Sequence, residues 1–373
     1  MTGGASEETD AVFLEGVGRL GPALLGVLAG FDHLQRHLHP PDIERLREAL
    51  RPAAHRLGVA LVAARETDHS QALAAYARPL LDAAEHAARA AELFLGDSET
   101  AEGSPDPVAA VLASGRAHCR AQAAIFPLRE ALPAFDRYFV EAGAEPPVRL
   151  GARASEGPGS SGIFNASNDP NQRGGFTLFV PEVYDESRAW PLVTALHGGF
   201  GHGGDFLWTW LREARTRGWL VLAPTSQATT WSMLGPDHDG GALDSMLAYV
   251  EGHWNVDPER LLLTGLSDGG TYSLLHGLRE GSRYSALAPV AGVLHPGNLA
   301  AGNLERARGK RIRWLHGALD WMFPVEVARQ GAAALREAGG EVELIEIADL
   351  SHAYPREQNG ALLAWAAGDS PGG

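Results

Sequence analysis

The chain has 373 residues, 45% hydrophobic and 21% charged, and a formal net charge of −15. The length predicts two domains, and the composition an ordinary globular protein. The charge argues against nucleic acid or an anionic membrane surface as the main partner. Cys119 is the only cysteine, so no intramolecular disulfide can form. The polar, acidic stretch from Met1 to Asp10 lacks a basic segment followed by an apolar one. No uninterrupted apolar run reaches the ~20 residues of a membrane span. The expected location is the cytoplasm, without a membrane partner.

Residues from about 10 to 141 read as all-helical. From Val12 to about His39, Phe13, Leu14, Val17, Leu20, Leu24, Leu25, Leu28 and Phe31 recur at mostly three- and four-residue steps. Gly21-Pro22 should bend or interrupt that helix. Pro40-Pro41-Asp42 restarts a helix through Ile43, Leu46, Leu50 and Leu57, and Asp68-His69-Ser70 opens an Ala-rich one running to Leu95. Gly96 to Pro107 reads as a linker of Gly, Ser, Pro and acids. A fourth helical stretch runs from Val108 to about Val140, with Pro127 and Pro133 as expected kinks. Four helical segments with short connections predict an up-and-down bundle as the domain 1–145. His33 and His37 share a helix face at metal-ligand spacing, but no further ligand pair accompanies them. Exposed or capping roles are expected there.

A Gly/Ser/Pro/Asn-rich segment, 151–175, separates the bundle from a second domain, 146–373. There the pattern alternates. Strands are expected at 176–180, 191–196, 219–224, 260–263, 286–292, 311–315 and 342–347, and helices at 205–216, 242–254, 325–338 and 360–367. Such alternation predicts an α/β fold with a mainly parallel sheet covered by helices on both faces.

Within that domain, Gly265-Leu266-Ser267-Asp268-Gly269 lies between an apolar strand and a helix, the context a nucleophile elbow requires. The turn holds Ser267 away from the sheet, and glycines at 265 and 269 let strand and helix approach closely. It also places the backbone N–H of Asp268 at a helix N-terminus, where it can stabilise an oxyanion. The bland alternative is a Gly-rich turn whose serine caps the helix. A serine hydroxyl needs a base, usually a histidine oriented by a carboxylate, on loops leaving later strands. Asp320 ends the loop after 311–315, and His352 follows 342–347. Asp349 is a rival acid, but three residues from His352 it is poorly placed to face the ring.

With these residues, the chain resembles the α/β-hydrolase superfamily, and more narrowly the phospholipase/carboxylesterase-type serine esterases related to polyhydroxyalkanoate depolymerases and feruloyl esterases. The matching motifs are His197-Gly198-Gly199, Gly265-Leu266-Ser267-Asp268-Gly269-Gly270, His316-Gly317-Ala318-Leu319-Asp320 and Ser351-His352, within about 175–367. The helical N-terminal third lies outside the resemblance. The resemblance implies that the His197-Gly198-Gly199 loop lends a second oxyanion donor. Small residues there leave the backbone accessible to a substrate oxygen, and Gly199 is the expected donor, with Phe200 the near alternative. His197 is expected to be structural. A phosphate-cradling role for these glycines fails for want of the P-loop lysine.

The expected function is carboxylic-ester hydrolysis through an acyl-enzyme, with no cofactor or metal and a small-molecule ester as partner. A peptidase or acyltransferase using the same three residues is the first alternative, and a non-catalytic ligand-binding protein the second. All nine tryptophans follow residue 189. Phe200, Trp231 and Trp321 are the candidates for substrate contact, while Trp314 on a strand is expected in the core. Only about 18 residues separate the strands near Val290 and Ile312, which leaves no room there for a large cap. The bundle is expected to modulate access or to assemble a homo-oligomer, and to supply no catalytic group.

Overall fold

The structure, a computed structural model, describes residues 3–97, 107–148 and 159–368. Its chain forms two units, Met1–Phe139 and Val140–Gly373. Most of the expected linker 96–107 and the start of the segment 151–175 lie outside the described residues.

The first unit consists of α1 (Gly3–Arg36), α2 (Ile43–Arg65), α3 (Ala74–Leu95), α4 (Pro107–Ile125) and the short α5 (Pro133–Tyr138). Consecutive long helices pack on one another, and α1 also reaches α3 and α4. Ala77, Ala83, Ala84, Ala87 and Ala90 of α3 are fully buried, and such small side chains let a neighbouring helix approach closely. Gly21-Pro22 does not interrupt the first helix: α1 runs on through Pro22. A proline inside a helix costs ~3 kcal/mol. Leu20, Leu24, Val27, Leu28 and Phe31 are at most 1% exposed, and each such burial contributes ~1.5–3 kcal/mol, so tertiary packing outweighs the proline. Pro127 and Pro133 mark boundaries: α4 ends at Ile125, Pro127 sits in a 3-10 turn, and Pro133 begins α5. By length and composition Asp10–Arg36 could cross a membrane, with mean hydropathy reaching 1.5. In this unit its Leu20, Leu24, Val27, Leu28 and Phe31 are buried in the bundle core, while Val12 and Leu14 are exposed.

The second unit is built on an eight-stranded sheet ordered β1-β2-β4-β3-β5-β6-β7-β8. The strands are β1 (Gly162–Ala166), β2 (Phe176–Val180), β3 (Trp190–Leu196), β4 (Leu220–Pro224), β5 (Val256–Leu266), β6 (Ala286–Val290), β7 (Arg311–Gly317) and β8 (Glu341–Ile347). Pairings β1–β2 and β2–β4 are antiparallel, and all the others are parallel. Every residue of β2, β3, β4 and β6 is buried, which is why these segments read as continuous apolar runs.

Six helices follow the strands: α6 (Gly203–Arg217), α7 (His238–His253), α8 (Asp268–Gly277), α9 (Pro296–Ala300), α10 (Val325–Glu337) and α11 (Asn359–Ala367). α6 packs on β2, β3 and β4, α8 on β5 and β6, and α10 on β7 and β8. α11 lies against α6 and β5. Trp190, Trp231, Trp254 and Trp314 are the bulkiest side chains of this core. Glu141 belongs to this unit: its N–H donates to Thr216 Oγ1 at 3.0 Å, and its carboxylate takes Arg217 in two bonds of 2.5 and 2.9 Å. The sequence reading missed β1, which lies inside the segment taken as a separator, and the short α9.

The Arg215 guanidinium donates to Glu182 at 2.8 Å, with side-chain exposures of 1% and 8%. Arg215→Met should therefore lower the unfolding free energy by ~3–5 kcal/mol, because it leaves the Glu182 carboxylate buried without its guanidinium. Arg215→Met combined with Glu182→Leu should regain most of that loss. Urea unfolding of both variants checks this, and a single variant as stable as the original would contradict it.

Candidate active site

Ser267 links β5 directly to α8 with φ 55° and ψ −116°. For a residue with a side chain, such a backbone costs ~1–3 kcal/mol and must be held by its surroundings. Two backbone bonds hold it: Ser267 N–H donates to Val290 O at 2.8 Å, and Thr271 N–H donates to Ser267 O at 2.9 Å. A Cβ on Gly265 would lie 2.4 Å from the Gly269 carbonyl carbon, and one on Gly269 would lie 2.4 Å from Leu196 O. Only glycine lets the start of α8 sit this close to β3 and β5. Asp268 is the first residue of α8, so its N–H has no carbonyl one turn earlier to bond.

Asp320 follows β7 and His352 follows β8, both beyond the carboxyl ends of their strands. The structure brings both to Ser267. His352 Nε2 lies 2.9 Å from Ser267 Oγ, and His352 Nδ1 lies 2.8 Å from Asp320 Oδ2. Both ring nitrogens are thereby engaged, and neither by Asp349. Asp320 Oδ1 accepts the backbone N–H groups of Met322 at 2.9 Å and Phe323 at 2.8 Å. Burial works against the Asp320 charge, but the His352 bond, the Phe323 N–H and the nearby imidazoles hold its pKa below the usual carboxylate value. The loop is closed from behind by buried His316, whose Nε2 meets Phe323 O at 2.8 Å and lies 3.5 Å from Asp320 Oδ2. The Phe323 ring meets the His352 ring edge-on at 5.3 Å.

Of the two N–H groups considered on the glycine loop, that of Phe200 donates to Thr229 O at 2.7 Å, which leaves Gly199 as the candidate donor beside Asp268. His197 is buried at 1% exposure. Its Nε2 accepts from Ser226 N–H at 3.1 Å, and its Nδ1 faces Gly198 O at 2.6 Å. Burial above all pushes its pKa down to about 3, aided by Arg173 and His202, so the ring is neutral. His202 Nδ1 accepts from Gly204 N–H at 3.1 Å as the N-cap of α6, and its Nε2 faces the Asp169 and Gln172 carbonyls at 3.2 Å. The two rings are thus spent on backbone groups rather than turned to a common ion. In the helical unit the His33 and His37 rings lie 4.2 Å apart, and His37 Nδ1 bonds His33 O at 2.8 Å.

The substrate-contact candidates separate. Phe200 and Trp321 are 62% and 57% exposed beside the loops carrying Gly199 and Asp320, and Leu319 and Met322 are exposed with them. Trp231 corrects the sequence reading. It is 2% exposed, stacks on Tyr272 at 5.5 Å and donates its indole N–H to His197 O at 2.8 Å. Its face is not open to a substrate, and it supports the glycine loop instead. The sequence reading also missed Thr230 and Asp239. Thr230 Oγ1 donates to Asp268 Oδ2 at 2.5 Å, and Asp239 binds the loop that carries Thr230. The available signal was the position of 225–232 just beyond β4, on the edge where the other site loops emerge.

No family model matches the chain, and no curated protein does. Among solved structures, a thermostable esterase is 24% identical over 55% of this chain and 59% of its own, with a TM-score of 0.42. The match thus spans less than two thirds of that esterase. Esterase PE8 is 20% identical over 52% of this chain and 97% of its own, with a TM-score of 0.42. An acetyl xylan esterase from Aspergillus awamori is 13% identical over 55% of this chain and all 100% of its own, with a TM-score of 0.44. By its own strand order, its antiparallel β2 and its strand–turn–helix elbow at Ser267, the unit Val140–Gly373 has the α/β-hydrolase fold.

Proposed function

We propose that the unit Val140–Gly373 is a serine carboxylic-ester hydrolase working through an acyl-enzyme. The observation that carries this is the continuous chain of contacts from Ser267 Oγ through both nitrogens of His352 to a buried, charged Asp320. In this reading Ser267 Oγ attacks the ester carbonyl carbon while its proton passes to His352 Nε2. Asp320 keeps the Nδ1 proton facing it and stabilises the imidazolium. The carbonyl oxygen, now an oxyanion, takes the N–H groups of Gly199 and Asp268. Collapse expels the alcohol, which receives the proton from His352. Water then attacks the acyl carbon while giving a proton to His352 Nε2, and that proton passes to Ser267 Oγ as its bond to the acyl carbon breaks and the acid leaves.

The exposed Phe200 and Trp321 rings support small to medium esters with an apolar or aromatic portion. The same three residues would serve a peptidase or acyltransferase, and comparing p-nitrophenyl esters with peptide anilides, with and without an acceptor alcohol, separates these. All the groups invoked lie in Val140–Gly373. For the helical unit, access control or assembly of a homo-oligomer remains our proposal.

Ser267→Ala should lower kcat by up to ~10⁶-fold and abolish labelling by a fluorophosphonate, with unfolding unchanged. Labelling that persists and maps to Ser245 or Ser273 would refute the assignment. Activity should rise with pH as the imidazole loses its proton, because only the neutral ring can accept from Ser267. Asp320, held below the ordinary carboxylate range, stays charged across that rise. His352→Gln should remove both the pH limb and most activity. A surviving profile points to another base, such as His316. The proton relay needs no Lewis acid, so EDTA should leave the rate unchanged, and a loss restored by zinc or calcium counts against the mechanism.

A further inference from the structure

The segment Thr225–Ser232 after β4 lies outside the proton relay, yet it touches both strands of chain that carry the proposed oxyanion donors. Phe200 N–H donates to Thr229 O at 2.7 Å. Trp231 Nε1–H donates to His197 O at 2.8 Å, and Ser226 N–H donates to His197 Nε2 at 3.1 Å. These three bonds hold the glycine loop. A fourth reaches the elbow: the Thr230 hydroxyl donates to Asp268 Oδ2 at 2.5 Å. That same oxygen would lie 2.7 Å from a Cβ built on Gly199, so the Asp268 carboxylate is seated against the glycine backbone. Thr230 therefore secures the Asp268 side chain where it meets the Gly199 backbone.

The segment can do this because it is itself clamped. Asp239 is 2% exposed and accepts Gln227 N–H at 2.8 Å, Ser232 N–H at 2.7 Å and Ser232 Oγ–H at 2.8 Å, gripping both ends. Arg173 spans the middle: it donates to Ser226 O at 3.1 Å, to Ala228 O, and across to Gly201 O at 2.7 Å. Trp231 is sandwiched between His197 at 4.8 Å and Tyr272 at 5.5 Å.

We propose that Thr230 is a positioning residue for the oxyanion hole, fixing the spacing of the Gly199 and Asp268 N–H groups by pinning the Asp268 carboxylate against the glycine loop. The proposal rests on the esterase reading for its catalytic meaning. Its physical basis is that N–H donors act only when pre-aimed at the oxygen that becomes charged, so a small loss of alignment costs rate rather than substrate affinity. A charge-assisted bond of this kind is among the stronger ones available to a hydroxyl. Without it the carboxylate can turn, leaving a negative charge loose beside a developing negative charge.

The test uses the full chain with Thr230→Val, which keeps the shape and removes the hydroxyl, and Thr230→Ser, which keeps it. For Thr230→Val on a p-nitrophenyl ester, kcat should fall ~10–100-fold with KM within about twofold. Inhibition by a trifluoromethyl ketone, which forms an oxyanion on the serine, should weaken in step with kcat/KM. Thr230→Ser should recover most of both. A Thr230→Val protein with unchanged kcat, or one that loses activity only in proportion to folded fraction, overturns the proposal. Amide hydrogen exchange over 197–201 and 266–270 gives a readout independent of turnover. It should quicken in Thr230→Val and revert in Thr230→Ser, and equal exchange in all three proteins overturns the proposal. An unaltered protein that hydrolyses no ester ends the esterase reading, and the exchange data still decide whether Thr230 fixes these loops.

Discussion

The backbone of Ser267 sits at φ 55°, and the site is arranged around keeping it there. An L-residue in that conformation relaxes unless several independent contacts oppose it. Here the serine N–H is fixed by β6, its carbonyl by the second turn of α8, and the helix start by contact with β3 that only Gly269 permits. Strain and packing thus act together. The sheet supplies the rigidity, and the turn uses it to project one hydroxyl beyond the strand ends.

Around that hydroxyl the polar groups are sorted by charge state. Asp320 is buried yet stays ionised, because two backbone N–H groups and an imidazole face its oxygens. His197, more deeply buried, is held neutral by that burial above all, aided by Arg173 and His202 and against the pull of the Gly198 carbonyl. Burial disfavours charge at both residues: it prevails at His197, whereas hydrogen bonds and neighbouring imidazoles overcome it at Asp320. Neutral His197 shapes a loop, and His352 joins Asp320 to Ser267.

Legibility in the sequence followed the same physics. The interior strands could be read because full burial imposes uninterrupted apolar runs, as in Leu261-Leu262-Leu263. The elbow, Asp320 and His352 could be read because steric need and loop position leave a local signature. β1 could not: as an edge strand, half-exposed and carrying Asn165, it has no such run. Trp231 was misjudged because a tryptophan on a site loop can face either way, and only the His197 carbonyl and Tyr272 ring decide it. Pro22 misled because propensity is local while the burial that overrides it comes from three other helices. Thr230 and Asp239 were silent, since their partners lie far along the chain.

The last strand, β8, has one flank without a neighbour. An open edge of backbone donors and acceptors invites another sheet to extend it. β8 carries Glu341, Glu343 and Glu346 within seven residues, and Arg313 and Arg329 hold the latter two in place. Charged side chains along an open edge discourage such pairing, and here they stand on a continuous hydrogen-bonding template.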